Sequence, residues 1–122
     1  MAGQGTIALE ILRDLPGVDM IFVPAGGGGL ISGVAACAKQ INPRIQIIGV
    51  QAEGAPAIAN SFRTGERTPS DTVHTIADGI AVRPRAKRPL SISRSMWTAL
   101  SRFPMRDCFR CSAAARALQA GR

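Results

Sequence analysis

The feature that most constrains this chain is a run of four glycines, Gly26–Gly29, between an apolar segment and a helical one. Asp19–Val23 is a short continuous apolar run, which predicts a strand covered on both faces. Leu30–Ile41 predicts a helix, and Asn42-Pro43 marks its end. A strand-to-helix turn built from glycine leaves its backbone N–H groups unobstructed by side chains.

Such a turn is suited to binding an oxyanion, because successive N–H groups can surround an anionic oxygen. The helix that follows adds its own unpaired N–H groups and the positive end of its dipole. We therefore predict that Gly26, Gly27, Gly28 and Gly29 bind a phosphate. The alternative interpretation is a close-packed turn without a ligand.

The flanking segments predict an α/β fold. Ile7–Leu15 carries apolar residues at helical spacing, Arg44–Val50 is an isoleucine-rich second strand, and Ala55–Arg63 is a helix that ends at Gly65. Helices that alternate with buried strands are typical of a parallel sheet.

Charge divides the chain into two segments. Up to Val82 there are five basic and seven acidic residues, whereas from Arg83 onward ten basic residues accompany Asp107 alone. Twelve of the thirteen glycines precede the same boundary. We predict a folded segment, 1–82, and a divergent basic segment, 83–122, without regular structure apart from a short helix at Ala113–Leu118.

The phosphate compound is not fixed by the glycines alone. A nucleotide-binding P-loop is excluded, because Leu30 stands where that motif requires lysine. A dinucleotide motif fits in part, since Gly27, Gly29 and Ser32 have suitable spacing and Glu53 follows the next strand. The dinucleotide NAD therefore remains an alternative.

A nucleic-acid-binding module is the alternative from another class. The basic segment would attract phosphate backbones, and Trp97, Phe103 and Phe109 are available to stack on bases. No apolar run is long enough to span a bilayer.

The three cysteines and the single histidine indicate no metal site. An odd cysteine count predicts a reducing cytoplasm rather than a disulfide framework. Cys108 and Cys111 have the spacing of a zinc or redox pair, but no second pair accompanies them. We interpret Cys37 as a core residue and His74 as a surface residue of a loop.

Four blocks of the chain share their order and spacing with one known family. They are Ala2–Glu10, Val23–Gly33, Ile48–Gln51 and Thr75–Gly79. Together they resemble the threonine dehydratase (threonine ammonia-lyase) and serine racemase group of fold-type II pyridoxal phosphate enzymes. The resemblance covers residues 2–82, and four blocks in register are highly specific.

The resemblance implies part of the three-layer parallel sheet of the tryptophan synthase β-like large domain. It implies that Gly26–Gly29 hold the phosphate of pyridoxal 5'-phosphate, that Gly79 lies beside the pyridine ring, and that Gln4–Thr6 line the cofactor domain. It implies β-elimination of threonine or serine to a 2-oxo acid and ammonia by a homo-oligomer, without nucleic-acid or membrane partners.

The resemblance also indicates what this chain lacks. The family's Schiff-base lysine would precede Met1, and neither Lys39 nor Lys87 stands in its motif. We expect no catalytic residue and no activity of this chain alone. Some relatives bind a divalent cation through an acidic residue at the position of Gln51, so we expect no metal here.

The basic segment permits a reading-frame hypothesis. The family would continue after Val82 towards a segment such as Tyr-Val-Asp-Asp-Ile-Val-Thr-Val-Ser-Asp. Met and Trp have single codons, so reading from the third base of Met96 gives Val and then Asp. The shifted codons that follow permit Gly-Ile-Val-Thr-Val-Ser-Asp. We infer a change of frame near Arg83.

Overall fold

The computed structural model describes residues 2–66, 73–82 and 99–103. Three α-helices and three β-strands make up most of this part of the chain. They are α1 (Gly5–Asp14), β1 (Met20–Pro24), α2 (Gly29–Ile41), β2 (Gln46–Ala52), α3 (Ala57–Thr64) and β3 (Ala99–Phe103), with short 3₁₀ turns at Ala2–Gln4 and Asp78–Ile80. None of the described helices is long and apolar enough to cross a membrane.

The three strands form one parallel sheet in the order β1-β2-β3. Ile21 lies opposite Ile47, and Ile48 lies opposite Ala99. The predicted α/β fold with a parallel sheet is therefore confirmed, and the five helices and strands predicted before Val82 are all present. Because the strands are parallel, the glycine run after β1 and the turn after β2 both lie at the carboxyl ends of the strands, on the same side of the sheet.

The core lies between the sheet and one layer of helices. Ile21 and Ile47 of the sheet share a buried cluster with Ala8 of α1, Ile31 of α2 and Ile58 of α3. All three helices therefore pack on the same face of the sheet. The described residues thus provide two of the three layers expected of the family fold.

The expectation that β1 is covered on both faces is wrong for this chain. Ile21 and Val23 are buried, but Met20 and Phe22 are 41% and 65% exposed. All three helices lie against the face that carries Ile21 and Val23, and so the side chains that point the other way stay in contact with water. The apolar run identified a strand correctly but overestimated how much of it is covered.

The basic segment contributes a strand to the sheet. Ala99–Phe103 forms β3 and pairs in parallel with β2, so the expectation of no regular structure in 83–122 is wrong for these five residues. Backbone pairing with an available sheet edge requires no local hydrophobic periodicity, which is why the composition did not indicate it. The possible helix at Ala113–Leu118, the Cys108/Cys111 pair, Trp97 and Phe109 lie outside the described residues.

Candidate functional site

The glycine loop, Gly26–Gly29, connects the end of β1 to the start of α2. Gly28 is the N-cap residue of α2, with φ 84° and ψ −5°. This left-handed conformation costs residues with a Cβ free energy, whereas glycine adopts it freely. No side chain caps the helix at this end within the described part of the chain.

Unpaired backbone donors are concentrated in this loop. The N–H of Ala25 donates to the carbonyl oxygen of Val50 at 2.8 Å, and the next backbone donor along the chain is Ser32, which reaches the carbonyl oxygen of Gly28 at 3.1 Å. Between them, the N–H groups of 26–31 donate to no acceptor within the described part of the chain. A row of unpaired N–H groups at a helix N-terminus is the arrangement that binds phosphate.

The surroundings of the loop are crowded on one side and open on the other. A Cβ built on Gly26 would lie 3.0 Å from the Cα of Ile80 and 3.2 Å from the Cγ2 of Val82. A Cβ built on Gly29 would meet no atom within 4 Å. Among the described residues the loop is therefore open at its α2 end, which leaves room for an anionic group.

Gly79 lies next to the residue that touches the loop. It belongs to the Asp78–Ile80 turn, and its neighbour Ile80 is the residue that packs on Gly26. Gly79 is exposed, a Cβ there would meet nothing within 4 Å, and its N–H donates to Asp78 Oδ1 at 2.7 Å. The fold thus brings all five predicted glycines into one region. That Gly79 lies beside a pyridine ring stays a prediction.

Gln51 has a structural role that the sequence did not indicate. Its side chain is completely buried, and Oε1 accepts a hydrogen bond of 2.8 Å from the N–H of Ala59 in the first turn of α3. Its Nε2 has no hydrogen-bond partner among the residues that the structure describes. The described residues contain no group of three or more His, Cys, Asp or Glu side chains that could hold a metal ion.

The first block of the resemblance packs against α2. A Cβ on Gly5 would lie 3.3 Å from both the Cβ of Cys37 and the carbonyl oxygen of Gly33, so α1 and α2 are in close contact here. Cys37 is half-buried and packs against the core without belonging to its buried residues. His74 is exposed, as predicted. Gln4 and Thr6 are exposed.

Lys39 lies at the far end of α2 from the glycine loop. Its Nζ donates to the carbonyl oxygen of Pro43 at 3.0 Å. Ten residues of helix separate it from Gly29, which corresponds to about 15 Å at 1.5 Å per residue. Lys39 therefore does not reach the loop. Lys87 lies outside the described residues.

The segment that contains the fold and the glycine loop matches the model of a known protein family. The model described as "Pyridoxal-phosphate dependent enzyme" matches residues 1–114. The chain belongs to this family of pyridoxal-phosphate dependent enzymes. The match continues past Val82 into the basic segment, where the structure places β3.

Individual relatives are threonine dehydratases and a serine racemase. The chain is 52% identical to the L-threonine ammonia-lyase of Thermotoga maritima over 83 residues, and 55% identical to the catabolic L-threonine dehydratase TdcB of Escherichia coli over 82 residues. These alignments cover 68% and 67% of the chain but 21% and 25% of the two relatives. The solved structure of maize serine racemase superimposes with a TM-score of 0.79 at 38% identity, over 84% of the chain and 31% of that structure.

These relatives confirm the resemblance drawn from the four sequence blocks. The fold is that of the fold-type II pyridoxal phosphate enzymes. The chain spans about a quarter of the length of the curated relatives that it matches. Neither the dinucleotide alternative nor the nucleic-acid alternative has support in these comparisons.

Proposed function

We propose that this chain is part of a pyridoxal phosphate-dependent dehydratase that converts threonine or serine to a 2-oxo acid and ammonia, with 2-oxobutanoate as the product from threonine. Within it, the glycine loop binds the phosphate of the cofactor. The observation that carries the proposal is the row of unpaired N–H groups at 26–31, at the N-terminus of α2. The named relatives support the reaction class.

The residues of this chain act on the phosphate rather than on the substrate. The N–H groups of Gly26, Gly27, Gly28 and Gly29 donate to phosphate oxygens, and the dipole of α2 favours the negative charge. The lack of side chains at Gly29 keeps the approach open. When bound, pyridoxal phosphate supplies the electron sink that β-elimination requires, whereas the protein supplies binding and orientation.

Neither lysine of this chain is expected to form the Schiff base with the cofactor. Lys39 and Lys87 are its two lysines. Lys39 lies at the end of α2 that is far from the glycine loop, and its Nζ donates a hydrogen bond to the carbonyl oxygen of Pro43. We propose that the chain alone binds pyridoxal phosphate noncovalently and does not form 2-oxobutanoate from threonine. A cytoplasmic location, a homo-oligomeric parent enzyme and the lack of a metal at Gln51 belong to the same proposal.

Titration of the purified chain with pyridoxal phosphate tests the phosphate site. We expect binding, measured by cofactor absorbance, that is at least about tenfold tighter than for pyridoxal, which lacks the phosphate. Equal affinities for pyridoxal and pyridoxal phosphate would remove the loop from the proposal. Preferential binding of NAD would favour the dinucleotide alternative instead.

Borohydride reduction followed by mass spectrometry tests the lack of a reactive lysine. We expect no stoichiometric adduct on either lysine and no 2-oxobutanoate from threonine. A specific adduct on Lys39 would overturn the proposal that the chain alone is inactive, while leaving the phosphate site untouched.

A further inference from the structure

The turn between β2 and α3, Ala52–Pro56, lies at the same sheet edge as the glycine loop. Val50, two residues before the turn, accepts the N–H of Ala25, the residue that precedes Gly26. The turn is closed by a hydrogen bond of 3.0 Å from the N–H of Ala55 to the carbonyl oxygen of Ala52. The end of β2 therefore holds the start of the glycine loop at a fixed position.

The middle of this turn is in backbone contact with the segment Val73–Val82. The N–H of His74 donates to the carbonyl oxygen of Gly54 at 2.9 Å. A Cβ built on Gly54 would overlap the carbonyl oxygen of His74. Only glycine allows the two backbones to approach this closely, because any side chain would have to displace main-chain atoms rather than a flexible side chain.

The other end of the same segment covers the glycine loop. The Cα of Ile80 and the side chain of Val82 lie against Gly26, and Val82 also approaches Gly27. The N–H of Ile80 donates to Ala77 at 3.1 Å, and that of Val82 donates to Ile80 at 2.9 Å, so this end is locally braced. A shift at His74 would therefore be transmitted along a short, hydrogen-bonded stretch to the loop.

We propose that Gly54 is a positioning residue that holds Val73–Val82 at the distance at which Ile80 and Val82 cover one side of the glycine loop. Gly54 does not contact the phosphate site itself. It fixes the position of Ile80 and Val82, which contact Gly26 and Gly27, and thereby the orientation of the N–H groups of these two glycines. The effect on cofactor affinity rests on the proposed phosphate binding. The effect of Gly54 on the position of Val73–Val82 and of the glycine loop does not.

The test compares Gly54→Ala with two controls in the full chain. Gly17→Ala introduces the same methyl group where a Cβ would meet nothing within 4 Å. His74→Ala removes an exposed side chain but keeps the carbonyl oxygen that Gly54 touches. Hydrogen–deuterium exchange of the amides at 26–31 is measured first, followed by titration with pyridoxal phosphate.

We expect Gly54→Ala to increase amide exchange at both 73–82 and 26–31, and to weaken pyridoxal phosphate binding by about tenfold. Both controls should match the unmodified chain in exchange and in affinity. Faster exchange at 73–82 with unchanged exchange at 26–31 would overturn the proposal, because it would show that the segment moves without affecting the loop. If the unmodified chain binds no pyridoxal phosphate but the loop amides respond, the proposed function fails and the positioning role stands.

A second variant covers the case in which Gly54→Ala does not fold. Val82→Ala shortens a side chain that is 37% exposed, so its cost to stability is small, yet it removes the contacts with Gly26 and Gly27. We expect faster exchange at those two glycines. Exchange equal to that of the unmodified chain would overturn the proposal, since it would show that the segment does not restrain the loop.

Discussion

At the scale of the residue, Gly28 determines the shape of the glycine loop, because it alone in that loop has a positive φ. We predict that Gly28→Ala lowers the free energy of unfolding by about 1–2 kcal/mol, the usual cost of a left-handed conformation for a residue with a Cβ. We also predict weaker binding of pyridoxal phosphate, because relief of this strain rotates the neighbouring N–H groups. Urea unfolding and cofactor titration measure the two effects.

Gly28→Asn is the matched comparison, since asparagine tolerates the left-handed region better than alanine does. It should recover part of the lost stability. If Gly28→Ala unfolds at the same urea concentration as the unmodified chain, the left-handed turn is not the conformation in solution.

At the scale of the element, β1 has one buried and one exposed face, and the two faces should respond differently to truncation. Ile21 is 7% exposed and Phe22 is 65% exposed. We predict that Ile21→Ala lowers the free energy of unfolding by about 2–5 kcal/mol. Phe22→Ala should cost less than about 1 kcal/mol, because little of that side chain leaves water on folding. Urea unfolding distinguishes the two.

The exposed side of β1 also predicts association. Apolar side chains on an uncovered sheet face favour contacts between molecules. Phe22→Ala should therefore reduce concentration-dependent light scattering, whereas Ile21→Ala should not. If Ile21→Ala and Phe22→Ala lower the free energy of unfolding equally, the face of β1 that carries Phe22 is covered in solution.

At the scale of the whole molecule, the reading-frame hypothesis accounts for the segment 83–122. β3 occupies Ala99–Phe103, and the shifted reading of codons 98–103 permits Gly-Ile-Val-Thr-Val, which is richer in strand-forming residues than Ala-Leu-Ser-Arg-Phe. By this hypothesis, β3 occupies the position at which the original reading frame encoded a more typical strand. The division into a cofactor-domain segment, 1–82, and a divergent basic segment, 83–122, stays a proposal.

Sequencing the DNA across codons 80–105 tests this hypothesis. We predict that the shifted frame encodes the family segment, and that a chain carrying the shifted-frame residues after Val82 unfolds at a higher urea concentration than this one. A shifted frame that lacks the segment would leave the basic residues as a genuine part of the protein.

The sequence by itself determined the order of elements before Val82, the glycine loop and the family. These features depend on local patterns: apolar runs mark strands, periodicity marks helices, and glycines at a strand-to-helix junction mark an anion site. Adjacency in sequence is sufficient to place the N–H groups of Gly26–Gly29 together, and so the sequence alone identifies them as candidates.

Only the tertiary structure decided which faces are covered and which distant residues meet. β3, the exposed side chain of Phe22 and the contact between Gly54 and His74 depend on chain segments that are far apart in sequence. The buried amide of Gln51 depends on how the next helix, α3, packs against β2. No local pattern carries that information, because a single glycine in a turn looks the same whether it is open, as at Gly17, or pressed against another backbone, as at Gly54.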